Sequence, residues 1–185
     1  MLHPFRYLSS QCRKRLFWLS LMAALVLFVC LRVIDQPLET NAAPNGIVSF
    51  ELAGSIAAVQ VILASWNLLV RQFAAFSLGL DYLFMLTYGV ALSLACLWSS
   101  SIWKERIRSA SDLGVWLAWG AWLAAGFDAV ENLALILLLF YQPTQPWPPI
   151  ARGCAALKFS LILICLLYAA SGFVAALVQR LQPRS

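Results

Sequence analysis

The sequence contains few charged residues and a single histidine. Only 11% of its 185 residues are charged, 62% are hydrophobic, and the mean hydropathy is +0.81. Soluble domains, by comparison, are about half apolar and about a quarter charged. The composition therefore excludes an ordinary cytosolic enzyme, a disordered chain and a disulfide scaffold, and it predicts an integral membrane protein.

Residues typical of metal, cofactor and common catalytic sites are also missing. His3 lies in the polar N-terminal segment, which excludes histidine chemistry inside the membrane. The five cysteines lack the spacing of a metal site, so we interpret them as free thiols packed like small apolar side chains. The chain has no Gly-rich phosphate loop, no G-x-S-x-G elbow and no H-E-x-x-H helix. We expect no metal, no cofactor and, because the basic residues cluster beside apolar runs, no nucleic acid.

Four long apolar runs predict four transmembrane helices in an all-α, polytopic, single-domain bundle. Nineteen helical residues rise roughly 28 Å, about the thickness of one bilayer core. The predicted spans are 16–34, 79–98, 113–141 and 151–178. The other segments are a basic N-terminal segment 1–15, an extracytoplasmic loop 35–78, a cytoplasmic loop 99–112, a Pro-rich turn 142–150 and a tail 179–185.

An additional amphipathic helix is predicted at about 55–76, between the first and second spans. Ser55 is a suitable N-cap, and Gln60, Asn67 and Arg71 form a narrow polar stripe. This pattern is typical of a helix lying at the membrane interface. The alternative is a fifth span.

The distribution of basic residues predicts the orientation. With four spans, nine of the thirteen lie on one side: Arg6, Arg13, Lys14, Arg15, Lys104, Arg106, Arg108, Arg180 and Arg184. By the positive-inside rule both termini are then cytoplasmic, in the inner (plasma) membrane if the chain is bacterial, whereas a fifth span would split these segments. A cleaved signal peptide is the rival interpretation of 16–34, but its only small-residue site, Ala42-Ala43, lies well beyond the apolar run.

Tryptophans lie near the predicted helix ends and are typical of interfacial anchors. Trp66 and Trp147 fall on the extracytoplasmic side. The cytoplasmic ends carry Trp18, Trp98, Trp103, Trp116 and Trp119.

Ionisable and polar residues inside the predicted spans are the candidate functional residues. The second span carries Asp81 and Tyr88, the third Asp128, Glu131 and Asn132, and the fourth Lys158, with Arg152 at its mouth. The four intramembrane charges lie roughly 7–20 Å from the outer helix ends. A charge facing lipid costs at least about 2.5–3.5 kcal/mol at a helix centre. We therefore expect these residues to turn inward and meet in one shared pocket.

Small residues predict which helices approach most closely. Gly120, Ala124 and Asp128 share a face of the third span, and Gly89 and Ser93 share a face of the second. Such faces allow close helix packing in lipid. We expect the third span to lie between the second and fourth.

The surplus of acids over bases carries the functional prediction. Asp81, Asp128 and Glu131 face one deep base, Lys158, so at least one carboxylate lacks a basic partner. We predict a site for a hydrophobic small molecule or lipid, with Asp128 and Glu131 as candidates for acid–base catalysis. Whether the protein is an enzyme stays open. One alternative is an accessory or structural subunit that docks a partner membrane protein and uses the charges as packing pairs; another is a proton- or cation-coupled carrier acting as a homodimer.

Overall fold

A computed structural model describes residues 3–104 and 107–181. All regular secondary structure in these residues is helical, and they contain no strand. Arg106 and the tail residues 182–185 lie outside the described residues. Two of the nine basic residues counted above, Arg106 and Arg184, are therefore not described. The elements are α1 (Ser10–Asp35), a short 3-10 turn (Gln36–Leu38), α2 (Ile47–Glu51), α3 (Ile56–Ser65), α4 (Leu68–Trp103), α5 (Arg108–Phe140) and α6 (Trp147–Leu181).

Four helices are long and apolar enough to cross a membrane, which confirms the predicted four-span, all-α fold. These are α1, α4, α5 and α6. Helix α1 begins at an N-cap, where the Ser9 hydroxyl accepts a hydrogen bond from the Cys12 amide. Its surface carries large exposed apolar side chains suited to lipid contact: Leu19, Met22, Val26, Val29 and Val33. All five cysteines are free, as predicted, but only Cys96 and Cys165 are buried like small apolar side chains, whereas Cys12 and Cys30 are exposed.

Helix α5 packs between α4 and α6, as the small-residue pattern predicts. A Cβ added to Gly89 would lie 3.6 Å from the Ala125 Cβ, which is ordinary van der Waals contact. The Ser93 hydroxyl donates to the Ala118 carbonyl at 2.7 Å across the same interface. Helix α1 packs mainly against α4, so it lies at the edge of a three-helix core.

The additional helix predicted between the first and second spans is confirmed as α3, but its predicted extent to about residue 76 is wrong. Helix α3 begins at the predicted cap, where the Ser55 hydroxyl accepts from the Ala58 amide at 3.2 Å, but it ends at Ser65. Asn67 then caps α4 by accepting from the Val70 amide at 3.0 Å. Arg71 donates to the Trp66 carbonyl at 3.2 Å and to the Leu63 carbonyl at 2.6 Å, which satisfies the end of α3.

The second span consequently begins at Leu68 and not at residue 79. Two residues of the predicted polar stripe, Asn67 and Arg71, serve as helix caps at the break. Hydrophobic periodicity does not reveal such a break, because both flanking segments are apolar.

Trp66 is not an interfacial anchor, contrary to the prediction. It is 2% exposed, and its indole Nε1 donates to the Leu38 carbonyl at 3.0 Å. Its ring meets Phe50 edge-to-face at 5.3 Å between centroids. Through these two contacts Trp66 packs α2 and the 3-10 turn against the apolar core at this end of the bundle. At the other end Trp18, Trp98, Trp116 and Trp119 are exposed, in keeping with their predicted place.

Helix α6 begins inside the Pro-rich segment, four residues earlier than predicted. Its first residue is Trp147, so Pro148 and Pro149 occupy the first turn. Proline is tolerated there because the first amides of a helix have no partner within the helix.

Gly172→Ala is expected to destabilise the bundle by about 1–3 kcal/mol, the usual cost of overpacking. A Cβ at Gly172 would overlap the Ser99 side chain and lie 2.7 Å from the Ser99 Cα. Gly153→Ala, in the same helix, is the matched control because a Cβ there meets nothing within 4 Å. Both variants gain the same helix propensity. Thermal unfolding in detergent micelles measures the difference, and equal midpoints for the two variants would contradict it.

Candidate functional site

Lys158 lies at the centre of a buried charge cluster. Its Nζ is 2.8 Å from the Asp128 Oδ1 and 2.9 Å from the Glu131 Oε1. Lys158 is 5% exposed, Asp128 2% and Glu131 0%. The two acids are three residues apart on α5, so one face of that helix presents both to a lysine on α6. The structure thus brings together the charges for which the sequence predicted a shared pocket.

Glu51 is a member of the cluster that the sequence analysis missed. Its Oε2 lies 3.7 Å from the Lys158 Nζ, and its carboxyl group also faces Glu131. The short helix α2 carries Glu51 into the bundle, because Ile47 and Phe50 pack in the apolar core beside it. The available signal was an acid inside the apolar stretch IVSFELA.

Two further hydrogen bonds extend the cluster toward α4. The Tyr88 hydroxyl donates to the Asp128 Oδ2 at 2.8 Å. The Asn132 Nδ2 donates to the Asp81 Oδ2 at 2.6 Å. Asp81 therefore lies level with Asn132, deeper than expected, because α4 begins eleven residues before the predicted span. Six of the seven sequence-predicted site residues belong to this network.

Arg152 is the exception. It is exposed, and its side chain lies over Gly54, where an added Cβ would come within 2.6 Å of the Arg152 Cδ. Gly54 has a φ of 67°, a left-handed conformation that favours glycine. Arg152 therefore covers the turn between α2 and α3 and does not reach the acids of the cluster.

Three buried carboxylate oxygens have no hydrogen-bond partner within the described part of the chain. They are the Asp35 Oδ1, the Glu51 Oε2 and the Glu131 Oε2. Buried polar atoms are normally hydrogen-bonded. Asp35 lies at the end of α1, whereas Glu51 and Glu131 both contact Lys158 in the cluster. The network thus has acceptor capacity that its own donors do not use.

Glu51 lies outside the membrane-spanning helices, and burial raises the pKa of its carboxyl group above the ordinary value of 4.5. The positive charge of Lys158 acts in the opposite direction, whereas the negative charges of Asp128 and Asp35 add to the rise. Burial dominates because a carboxylate loses most of its hydration there.

The residues of the network on α5 and α6 are buried, whereas those on α4 are partly accessible. Asp128, Glu131, Asn132 and Lys158 are all buried. Asp81 and Tyr88 are only half-buried, on α4. The cluster can therefore accept hydrogen bonds or a proton at its buried acids, and it can meet another molecule at α4. Within residues 3–104 and 107–181, no group of three His, Cys, Asp or Glu side chains is arranged to hold a metal ion.

Comparisons with known proteins give no relative for this arrangement. No family model, curated protein or solved structure matches the chain.

Lys158→Met is expected to destabilise the protein by about 3–5 kcal/mol, because it leaves buried carboxylates without their cation. Arg152→Met, on the same helix but exposed, is the control and should stay within about 0.5 kcal/mol of the parent protein. Unfolding in detergent micelles measures both. The double variant Lys158→Met/Glu131→Gln should recover part of the loss, since it removes one unpaired charge. A Lys158→Met variant as stable as the parent would show that charge pairing does not hold the cluster.

Glu51→Gln is expected to flatten the decline of stability with rising pH. The raised pKa of Glu51 means that the folded state keeps a proton that the unfolded chain has lost, so stability falls as pH rises above about 4.5 toward the folded-state pKa. Glutamine cannot lose this proton. Glu39→Gln is the control, because Glu39 is an exposed acid of the same loop. Thermal midpoints across pH 4–8 provide the test, and identical profiles for Glu51→Gln and the parent would contradict it.

Proposed function

We propose that this protein binds a hydrophobic small molecule or lipid that approaches α4 from the bilayer. The observation that carries this proposal is the half-buried Asp81, held at 2.6 Å by Asn132 at the level of the buried cluster. An acid at membrane depth is costly unless it has a polar partner. Asn132 donates to one oxygen of the Asp81 carboxyl group, which leaves the other oxygen to accept a hydrogen bond from the ligand.

The chemistry of this edge favours a ligand with a hydroxyl or amino group. Asp81 accepts hydrogen bonds, and the Tyr88 oxygen can also accept one because its proton is donated to Asp128. Phe84 packs edge-to-face on Tyr88 at 5.2 Å and meets Phe28 of α1, so apolar surface adjoins the polar groups. A polar head on an apolar body would match both parts.

Asp128, Glu131 and Lys158 take a supporting role in this proposal. Lys158 holds one oxygen of each of the two acids, and Asp128 in turn orients Tyr88. We assign no reaction to the two acids, because each is already engaged by the lysine. Their contribution is to fix the position of Tyr88 and the electrostatic field behind Asp81.

The orientation is part of the same proposal. Arg6, Arg13, Lys14, Arg15 and Arg108 all lie at the end of the bundle where α1 and α5 begin. We infer that this end is cytoplasmic, by the positive-inside rule; the membrane is the inner membrane if the chain is bacterial, and an organelle membrane would fit equally. Glu51 and the cluster would then be nearer the extracytoplasmic side.

A proton-coupled carrier, acting as a homodimer, is the second candidate function. It is favoured by the buried oxygens of Glu51 and Glu131 that lack a hydrogen-bond partner, on two acids that both contact one lysine. Two adjacent carboxyl groups of this kind readily share a proton. Proton flux into proteoliposomes that disappears in Glu131→Gln would support this candidate in place of the first.

Asp81→Asn is expected to reduce the amount of co-purifying hydrophobic ligand by about 10–100-fold, the equivalent of one lost charge-assisted hydrogen bond. Tyr88→Phe should produce a smaller loss. Thr87→Val is the control, because the Thr87 hydroxyl donates only to the Phe84 carbonyl of its own helix. Mass spectrometry of extracts from protein purified out of native membranes provides the measurement.

Thermal unfolding of each variant shows whether the fold is retained. If Asp81→Asn is folded and carries the same molecules in the same amounts as the parent, the binding proposal is wrong. The carrier and the accessory subunit, in which the cluster is a packing device, would then be the remaining candidates.

A further inference from the structure

A groove separate from the charge cluster lies between α1 and α4, at the end of the bundle where α1 begins. Its volume is about 580 Å³. Arg13 and Lys14 line one part of the groove, and Phe17, Leu97 and Trp98 line another. This volume is in the range of small-molecule sites. The groove is therefore polar and basic at one end and apolar further along.

The two cations of the groove have no acidic partner. Within residues 3–104 and 107–181, no carboxylate forms an ion pair with Arg13 or Lys14. The nearby His3 adds no negative charge, and its pKa is lowered by its own burial and then by the positive charges of Arg13 and Arg6. Arg32, by contrast, pairs with Glu39 at 3.8 Å. The basic end of the groove thus carries an uncompensated positive charge.

The apolar part of the groove continues toward the hydrocarbon. Phe17 and Trp18 follow Arg13 by little more than one helical turn, roughly 6–8 Å along α1. Trp18 and Trp98 are more than half exposed, on helices that span the bilayer. Tryptophan at such a position marks the boundary between head groups and acyl chains. The order along the groove therefore matches that of a phospholipid, with charge first and hydrocarbon after.

We propose that the groove between α1 and α4 binds one anionic phospholipid, with its phosphate on Arg13 and Lys14 and an acyl chain along Phe17, Leu97 and Trp98. The guanidinium of Arg13 can donate two parallel hydrogen bonds to phosphate oxygens. Lys14 adds a second positive charge that favours an anionic lipid over a zwitterionic one. This inference does not depend on the ligand proposed for Asp81.

The probe is dioleoyl phosphatidylglycerol, with dioleoyl phosphatidylcholine as the comparison lipid. Full-length protein is titrated with each lipid in detergent, and native mass spectrometry counts the lipids retained. We expect phosphatidylglycerol to be retained at one per chain and to bind on the order of 10-fold or more tightly than phosphatidylcholine. The double variant Arg13→Gln/Lys14→Gln should lose this preference.

Arg15→Gln is the matched control, because Arg15 is the next residue with the same charge and does not line the groove. It should keep the parent affinity. Ser101→Trp supplies a second variant, since it fills the groove while both cations remain, and it should also abolish retention. Thermal unfolding without added lipid shows whether each variant is folded.

An equal loss of phosphatidylglycerol binding in Arg15→Gln and in Arg13→Gln/Lys14→Gln would overturn the proposal. The lipid would then be attracted by the positive charge of the whole basic end and not by the groove. Equal retention of both lipids by the parent protein would overturn it as well, as would unchanged retention in Ser101→Trp. If the parent protein retained no lipid at all, the proposal would also be overturned.

Discussion

The structure depends on the exclusion of unpaired charge from hydrocarbon. Lys158 lies on a helix that crosses the membrane, and an ammonium group at this depth must find anions or reach water. It finds three carboxylates, two on α5 and one on α2. Because each contact needs a particular rotation and depth of its helix, the pairing fixes how α5 and α6 meet. It also draws the connecting segment with Glu51 into the bundle.

Pairing of this kind supplies specificity more than stability. Removing two charges from water costs several kcal/mol for each ion, and their attraction recovers this only when the geometry is good. Apolar residues of similar volume would hold the helices at least as well. The cluster also contains more acidic side chains than its one lysine can satisfy, and two of their oxygens, the Glu51 Oε2 and the Glu131 Oε2, are left without a hydrogen-bond donor. A packing device needs no such surplus, and this surplus is the reason for proposing a binding site.

The sequence allows prediction of those features that follow from hydrophobicity and charge alone. Span number follows from long apolar runs, and the meeting of Asp128, Glu131 and Lys158 follows from the cost of charge in lipid. Glu51 was not predictable in the same way, because its place depends on how a loop of the chain folds back over the bundle. The break before Leu68 was missed for a related reason. It depends on hydrogen bonds from Asn67 and Arg71, whereas the apolar pattern runs through it without change.

The charge cluster around Lys158 and the groove with Arg13 and Lys14 avoid unpaired charge in hydrocarbon in two different ways. In the core of α4, α5 and α6 the charges are buried, so they are paired within the chain. At the edge, α1 contributes Arg13 and Lys14 to a groove with α4, and neither forms an ion pair with an acid in the described part of the chain. An unpaired cation is acceptable there because the surface of the membrane supplies anions and water. Helix α1, which carries none of the residues bonded to Lys158, therefore forms the groove without constraining the cluster, and α4 is the one helix that serves both.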